Sequence, residues 1–127
     1  MTRSSTLLVA FAALLGALGV TDAAIATHVT GGAALEKASI VLMVHAAALL
    51  GLSALVARTG GRWSVALVAA TLGGGAALFG LDVTLLTLQG HRLFPYAAPI
   101  GGSTMIASWL IIGLLALAGH FEPRDPA

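Results

Sequence analysis

The chain contains no cysteine. Disulfides, thiolate metal sites, cysteine catalysis and thioether haem attachment are thereby excluded, while the redox compartment stays open. Charge is scarce as well, with 6 Lys and Arg against 5 Asp and Glu in 127 residues, a formal net charge of +1. So small an excess gives no footing for nucleic acid, and the basic residues stand at segment ends rather than in a patch. Three common catalytic signatures are missing: a P-loop, a Gly-x-Ser-x-Gly elbow and His-Glu-x-x-His. Gly73-Gly74-Gly75 lies inside an apolar span with no neighbouring Lys-Ser or Lys-Thr to hold phosphate. Nothing nominates a reaction, so the expectation is a protein that is not an enzyme and carries no cofactor.

Apolar sequence, by contrast, is abundant. At 58% hydrophobic residues, 9% charged residues and a mean hydropathy of +1.00, the chain lies outside the range of soluble domains and reads as an integral membrane protein. Its apolar runs extend from about Ser5 to His28, Ala38 to Ala57, Trp63 to Leu88 and Ile100 to Ala118. Each approaches the ~20 residues a helix needs to span a bilayer. Breaks are expected at residues 29–37, 58–62 and 89–99, the last containing Pro95 and Pro99. Backbone polar groups must be satisfied internally in lipid, and runs this long are unsuited to barrel strands. Short loops imply antiparallel neighbours. The expected fold is therefore an all-α membrane protein, a four-helix up-down-up-down bundle forming one domain over residues 1–127, with a polar tail from 119 to 127.

Arg3, Arg58, Arg62 and Arg124 flank one side of such a bundle, and Lys37 and Arg92 the other. This bias favours both termini in the cytoplasm of a bacterial inner membrane. Arg3, the apolar run from Leu7 and the small residues Ala17-Leu18-Gly19 also resemble a signal peptide. The three spans that follow favour an uncleaved first helix. Trp63, Phe94, Tyr96 and Phe121 fall at the water boundaries, where aromatic belts form, and Trp109 falls deeper, where packing in the bundle is expected. Glu36 and Lys37 are expected to open the second helix, the carboxylate complementing its amino-terminal dipole.

Small residues recur at four-residue spacing: Ala12 and Gly16, Gly19 and Ala23, Ala47 and Gly51, Gly73 and Ala77, Ala76 and Gly80. Such pairs let backbones approach where lipid supplies no hydrophobic drive. They serve either packing within the bundle or an interface between copies. Gly73-Gly74-Gly75 either admits a neighbouring helix closely or marks a flexible point. The halves are faintly alike, Gly19 and Asp22 preceding Gly31-Gly32 much as Gly80 and Asp82 precede Gly101-Gly102.

Asp22 and Asp82 are the residues most at odds with this setting. A carboxylate inside the bilayer costs roughly 2.5–3.5 kcal/mol on insertion scales and calls for a partner. With the segments threaded alternately, Asp22, His45 and Asp82 each lie six or seven residues inside the outer boundary, roughly 10 Å deep at about 1.5 Å per residue. A buried cluster of the three is expected, His45 stabilising one carboxylate and the second carboxyl keeping its proton. Ser103, Thr104 and Ser108 could reach similar levels, and Thr21, Thr84 and Thr87 flank the aspartates. The cluster could be a proton relay or cation site. Interhelical glue, worth ~0.6 kcal/mol per bond on average, stands ahead of that reading, and a place at the lipid headgroups behind it. A zinc site with His28 as fourth ligand is a narrower idea, unsupported by any His-x-x-x-His spacing. His28, His91 and His120 fall at segment ends, where interfacial exposure is expected.

Ala26-Thr27-His28, Val44-His45-Ala46-Ala47-Ala48-Leu49, Leu78-Phe79-Gly80-Leu81-Asp82, the run from Gly90 to Gly102 and then Trp109 together resemble one small family. It is the bacterial inner-membrane family catalogued as domain of unknown function 423, which has mitochondrial relatives. The resemblance covers nearly the whole chain and is most specific from His91 to Trp109. It implies a four-helix membrane protein of unassigned activity and carries over no catalytic residues. The chain departs from the family pattern at Ala24-Ile25, Val44 and Ser108, while His28, His45 and the Pro-x-Gly-Gly turn are intact.

Three functional readings follow. One is a structural or accessory subunit, whose partners are the lipid bilayer and either a second copy or a larger membrane complex. Another is a carrier or channel component moving protons, cations or a small molecule past Asp22, His45 and Asp82. An enzyme or a lipid-modifying protein is a third, kept open only by the polar cluster.

Overall fold

A computed structural model describes residues 1–29 and 32–123. Thr30 and Gly31 of the first break, and the tail from Arg124 onward with its contribution to the charge bias, lie outside the described residues. Four helices account for most of the rest: α1 (Arg3–His28), α2 (Gly32–Arg58), α3 (Trp63–Gln89) and α4 (Ala97–Leu117). All four are long and apolar enough to cross a membrane. The protein is a multi-pass membrane protein built as an all-α four-helix bundle.

Local chemistry sets the ends. The Thr2 side chain accepts the Ser5 N–H at 3.2 Å and caps α1, satisfying one of the donors a helix start leaves free. Gly60 and Gly61, at φ +65° and +80°, turn the chain from α2 into α3. Gly90, at φ +75°, stops α3, and its N–H returns to the Leu86 carbonyl at 3.0 Å. Side chains rarely adopt that left-handed region, which is why glycine stands at these corners.

Two helix starts fall earlier than the hydropathy implies. α2 begins at Gly32 rather than Ala38, because a helix can project past the apolar span and carry Glu36 and Lys37 exposed in its own second turn. Glu36 therefore sits beyond the first turn, and its expected role at the helix start is not met. α4 begins at Ala97 rather than Ile100 and runs through Pro99. Pro99 is its third residue, where the missing N–H would have had no helical partner in any case.

Packing runs α1 on α2, α2 on α3 and α3 on α4, with α1 also reaching α3. Leu8, Ala12 and Leu15 of α1, Leu42, Leu49 and Val56 of α2, and Val65, Leu72 and Ala76 of α3 form one continuous core. Met105 is the α4 residue that joins it. α4 is thus peripheral: it lies along α3 and, among the described residues, does not pack on α1.

The glycines explain how close the helices come. A Cβ on Gly75 would lie 2.8 Å from the Gly101 carbonyl oxygen, and one on Gly101 would lie 2.7 Å from both the Gly75 carbonyl oxygen and the Phe79 backbone nitrogen. Backbone meets backbone there, so no side chain can give way. Gly73 lies under Phe11 and Leu49, Gly19 faces Met43, Leu42 and the Ser39 carbonyl, and Gly80 lies under Leu42. Of the triple glycine, the outer two residues admit neighbours and α3 continues unbroken through all three.

Candidate functional site

Asp22 on α1 and Asp82 on α3 are both fully buried, each at 0% exposure. Their surroundings differ. Asp82 accepts three hydrogen bonds: from Arg92 Nη1 at 2.7 Å and the Ala98 N–H at 3.2 Å on Oδ2, and from the Leu93 N–H at 2.9 Å on Oδ1. Arg92 reaches it by folding back after Gly90, and forms with it an ion pair in which the arginine is 45% exposed.

The bond from Ala98 places Asp82 at the amino terminus of α4. Of the first four N–H groups of that helix, Ala97 bonds the Phe94 carbonyl at 3.2 Å, Ala98 bonds Asp82, Pro99 has none to offer, and Ile100 bonds the Tyr96 carbonyl at 3.0 Å. Tyr96, the residue before α4, supplies no side-chain cap. Asp82 does so from a different helix, adding negative charge where the helix dipole favours it. The same carboxylate satisfies Leu93 in the connecting loop, so irregular backbone that reaches the level of Asp82 is bonded by protein.

Asp22 has no such company. Its Oδ2 lies 2.7 Å from Thr84 Oγ1, and its buried Oδ1 has no partner. Thr84 Oγ1 also lies 2.7 Å from the Gly80 carbonyl oxygen, one turn back on α3.

His45 does not join either aspartate, which corrects the expected cluster. Its Nδ1 lies 2.7 Å from the Val41 carbonyl oxygen, and Trp109 Nε1–H donates to its Nε2 at 3.3 Å. A carbonyl can only accept and an indole N–H can only donate, so the ring is the neutral tautomer protonated on Nδ1. The imidazole and indole centroids are 6.1 Å apart, tilted by 58°. This pair ties α2 to peripheral α4 and leaves His45 neither a cation nor a free base. Equal depth was insufficient because rotation about each helix also matters. From the buried line through Leu42 and Leu49, His45 is turned by roughly 60° toward the α4 side.

Depth does hold for Asp22 and Thr84, which meet. Asp82 and Thr84, two residues apart on α3, point to opposite sides of it. The body of α3 therefore separates the two aspartates, one facing α4 and the other α1. His28 is exposed at the end of α1, and no group of three His, Asp or Glu side chains suited to a metal occurs among the described residues. On α4, Ser108 is buried and bonds Thr71 at 3.1 Å, whereas Thr104 donates to the Ile100 carbonyl. A surface cleft outside the α3–α4 loop is lined by Arg92, Leu93, Phe94, Pro95, Tyr96 and Pro99, and neither aspartate opens into it.

The partners that sequence reasoning missed are Arg92, Thr84 and Trp109. Opposite charges ten residues apart with a helix-stopping glycine between them, as in Asp82, Gly90 and Arg92, were the available signal for the first. Trp109 is half exposed, at 45%, rather than enclosed in the bundle.

Residues 13–102 match the family described as protein of unknown function (DUF423). The chain belongs to this family. The DUF423 match contains Asp22, His45, Asp82, Thr84, Arg92 and the Gly75–Gly101 crossing, and stops short of Trp109. No curated protein and no solved structure matches the chain.

Proposed function

We propose that this DUF423 protein is a non-catalytic accessory subunit of the bacterial inner membrane, packing through α2 against a second copy of itself or a larger membrane complex. The observation that carries this reading is a division among its small residues. Gly19, Gly73, Gly75, Gly80 and Gly101 face inward, and a Cβ on any of them would collide with a neighbour. Gly51 faces outward with open space around it, as do Gly74, Gly102 and Gly113, and on α2 the exposed Ala47 and Ala54 extend that space into a row of small residues on one side. The monomer makes no use of their small size. A glycine inside a helix costs about 1 kcal/mol relative to alanine, and close approach of another helix is the usual return in lipid.

The short connections suit a protein that works within the bilayer. Arg3, Arg58 and Arg62 gather at one end, which supports cytoplasmic termini. A reporter fused after Ala127 would then be active in the cytoplasm, and periplasmic labelling of that tail would reverse the orientation.

Absence of native cysteine makes the interface test clean. Gly51→Cys should crosslink in native membranes to a second copy or to a discrete larger species, while Leu114→Cys, exposed on α4 among the bulky Leu110, Ile111 and Leu117, should not. A monomeric product from both variants would remove the accessory reading.

A further inference from the structure

We propose that Asp22 is a proton-binding site: a carboxyl that keeps its hydrogen inside the bilayer at neutral pH and donates it to Thr84. The argument is a count of hydrogens. Thr84 Oγ1 lies 2.7 Å from Asp22 Oδ2 and 2.7 Å from the Gly80 carbonyl oxygen. Each such separation between oxygens is a full-strength hydrogen-bond distance, best met by a hydrogen of its own. The threonine hydroxyl supplies one, and the carbonyl supplies none. A second hydrogen, carried by Asp22, gives each contact its own donor. The chain of donors runs from the Asp22 carboxyl to the Thr84 hydroxyl to the Gly80 carbonyl.

Four further observations agree. Asp22 is 0% exposed, and an ionised carboxylate removed from water requires a cation or several donors. The ion pair found among the described residues is that of Arg92 with Asp82, on the other side of α3. His45, the nearest candidate by depth, is fixed as a neutral ring by Val41 and Trp109. Finally, Asp22 Oδ1 is buried without a partner. As the carbonyl oxygen of a neutral acid it costs far less to bury than as half of an anion.

The same geometry selects a proton over a metal ion. A hard cation asks for six or more oxygen ligands, or a near-octahedral set completed by water. Here one carboxyl and one hydroxyl meet, a pair that one hydrogen satisfies.

Infrared spectroscopy of the full chain in lipid vesicles tests this directly. With the side-chain carboxyl carbon of aspartate isotopically labelled, the signal is confined to Asp22, Asp82 and Asp125. At neutral pH the wild-type protein should show a protonated-carboxyl C=O band that shifts in deuterated water. The band should be lost in Asp22→Asn and retained in Asp82→Asn. Thr84→Val, which removes the acceptor and keeps the acid, should move the band to higher frequency without abolishing it. This second variant also serves if Asp22→Asn fails to fold. The proposal is overturned by the absence of a protonated band in wild type, by its persistence in Asp22→Asn, by its loss in Asp82→Asn alone, or by an unchanged frequency in Thr84→Val. Loss of the band on adding sodium ions would assign the site to a cation and overturn it as well.

Discussion

Asp82 and Asp22 are the same residue at the same kind of position, late in a long apolar helix, yet they do opposite work. Asp82 gathers a guanidinium, a loop amide and the first turn of α4 around one charge. Asp22 meets a single hydroxyl and leaves an oxygen unpartnered. The lesson is that the cost of a carboxylate in lipid can be met in two ways, by surrounding the charge with donors or by giving it up. Which way is taken depends on what the neighbouring helix presents. α4 arrives with N–H groups free at its start, whereas α1 and α3 meet side by side, where every backbone donor is already used.

The most damaging change should fall on the charged side. Asp82→Ala strands the Arg92 guanidinium and the Leu93 and Ala98 N–H groups together, and should lower stability by about 3 kcal/mol in detergent unfolding. Amide hydrogen exchange should accelerate at Leu93 and Ala98 and stay unchanged around Asp22. Uniform acceleration across both regions would erase the distinction drawn here.

Gly101→Val approaches the same region through packing. Its added atoms would meet the Gly75 and Phe79 backbone, so α4 must move away from α3 and carry Ala98 off Asp82. A loss of about 2 kcal/mol is expected, in line with other overpacked sites, with the α1–α2 contact left intact. Thr84→Val acts on the other aspartate alone. It should cost about 1 kcal/mol for the lost hydrogen bond, without altering exchange at Leu93. Trp109→Phe touches neither carboxyl and should cost only ~0.6 kcal/mol, the average for an interhelical hydrogen bond in a membrane. A larger loss than Thr84→Val would mean that the His45 tie, rather than the aspartates, organises the bundle.

Much of the fold was legible in the residues. Apolar runs located all four helices, and the inward pairs built on Gly19, Gly73 and Gly80 marked where helices come close. The starts of α2 and α4 were misplaced because hydropathy reports where lipid ends, not where backbone hydrogen bonding begins. Glu36 and Pro99 look like breaks on a hydropathy scale and are tolerated in early helical turns. The site was half legible. Burial of Asp22 and Asp82 follows from their depth, but partners depend on rotation about the helix axis, which separates Asp82 from Thr84 and turns His45 toward Trp109. Arg92 was harder still, since its role depends on a loop that folds back from Gly90 to the level of Asp82.

The central claim is that Asp82 is ionised and Asp22 is not, and paired amide substitutions in the same vesicles test it most directly. Asparagine reproduces the shape of either side chain and cannot ionise. The account predicts that Asp22→Asn leaves unfolding stability within about 0.5 kcal/mol of wild type, because an amide N–H can donate to Thr84 as the acid does. Asp82→Asn should lose about 2 kcal/mol, because the Arg92 charge keeps no counter-ion. Equal losses from the two substitutions, or the larger loss at Asp22, would contradict it.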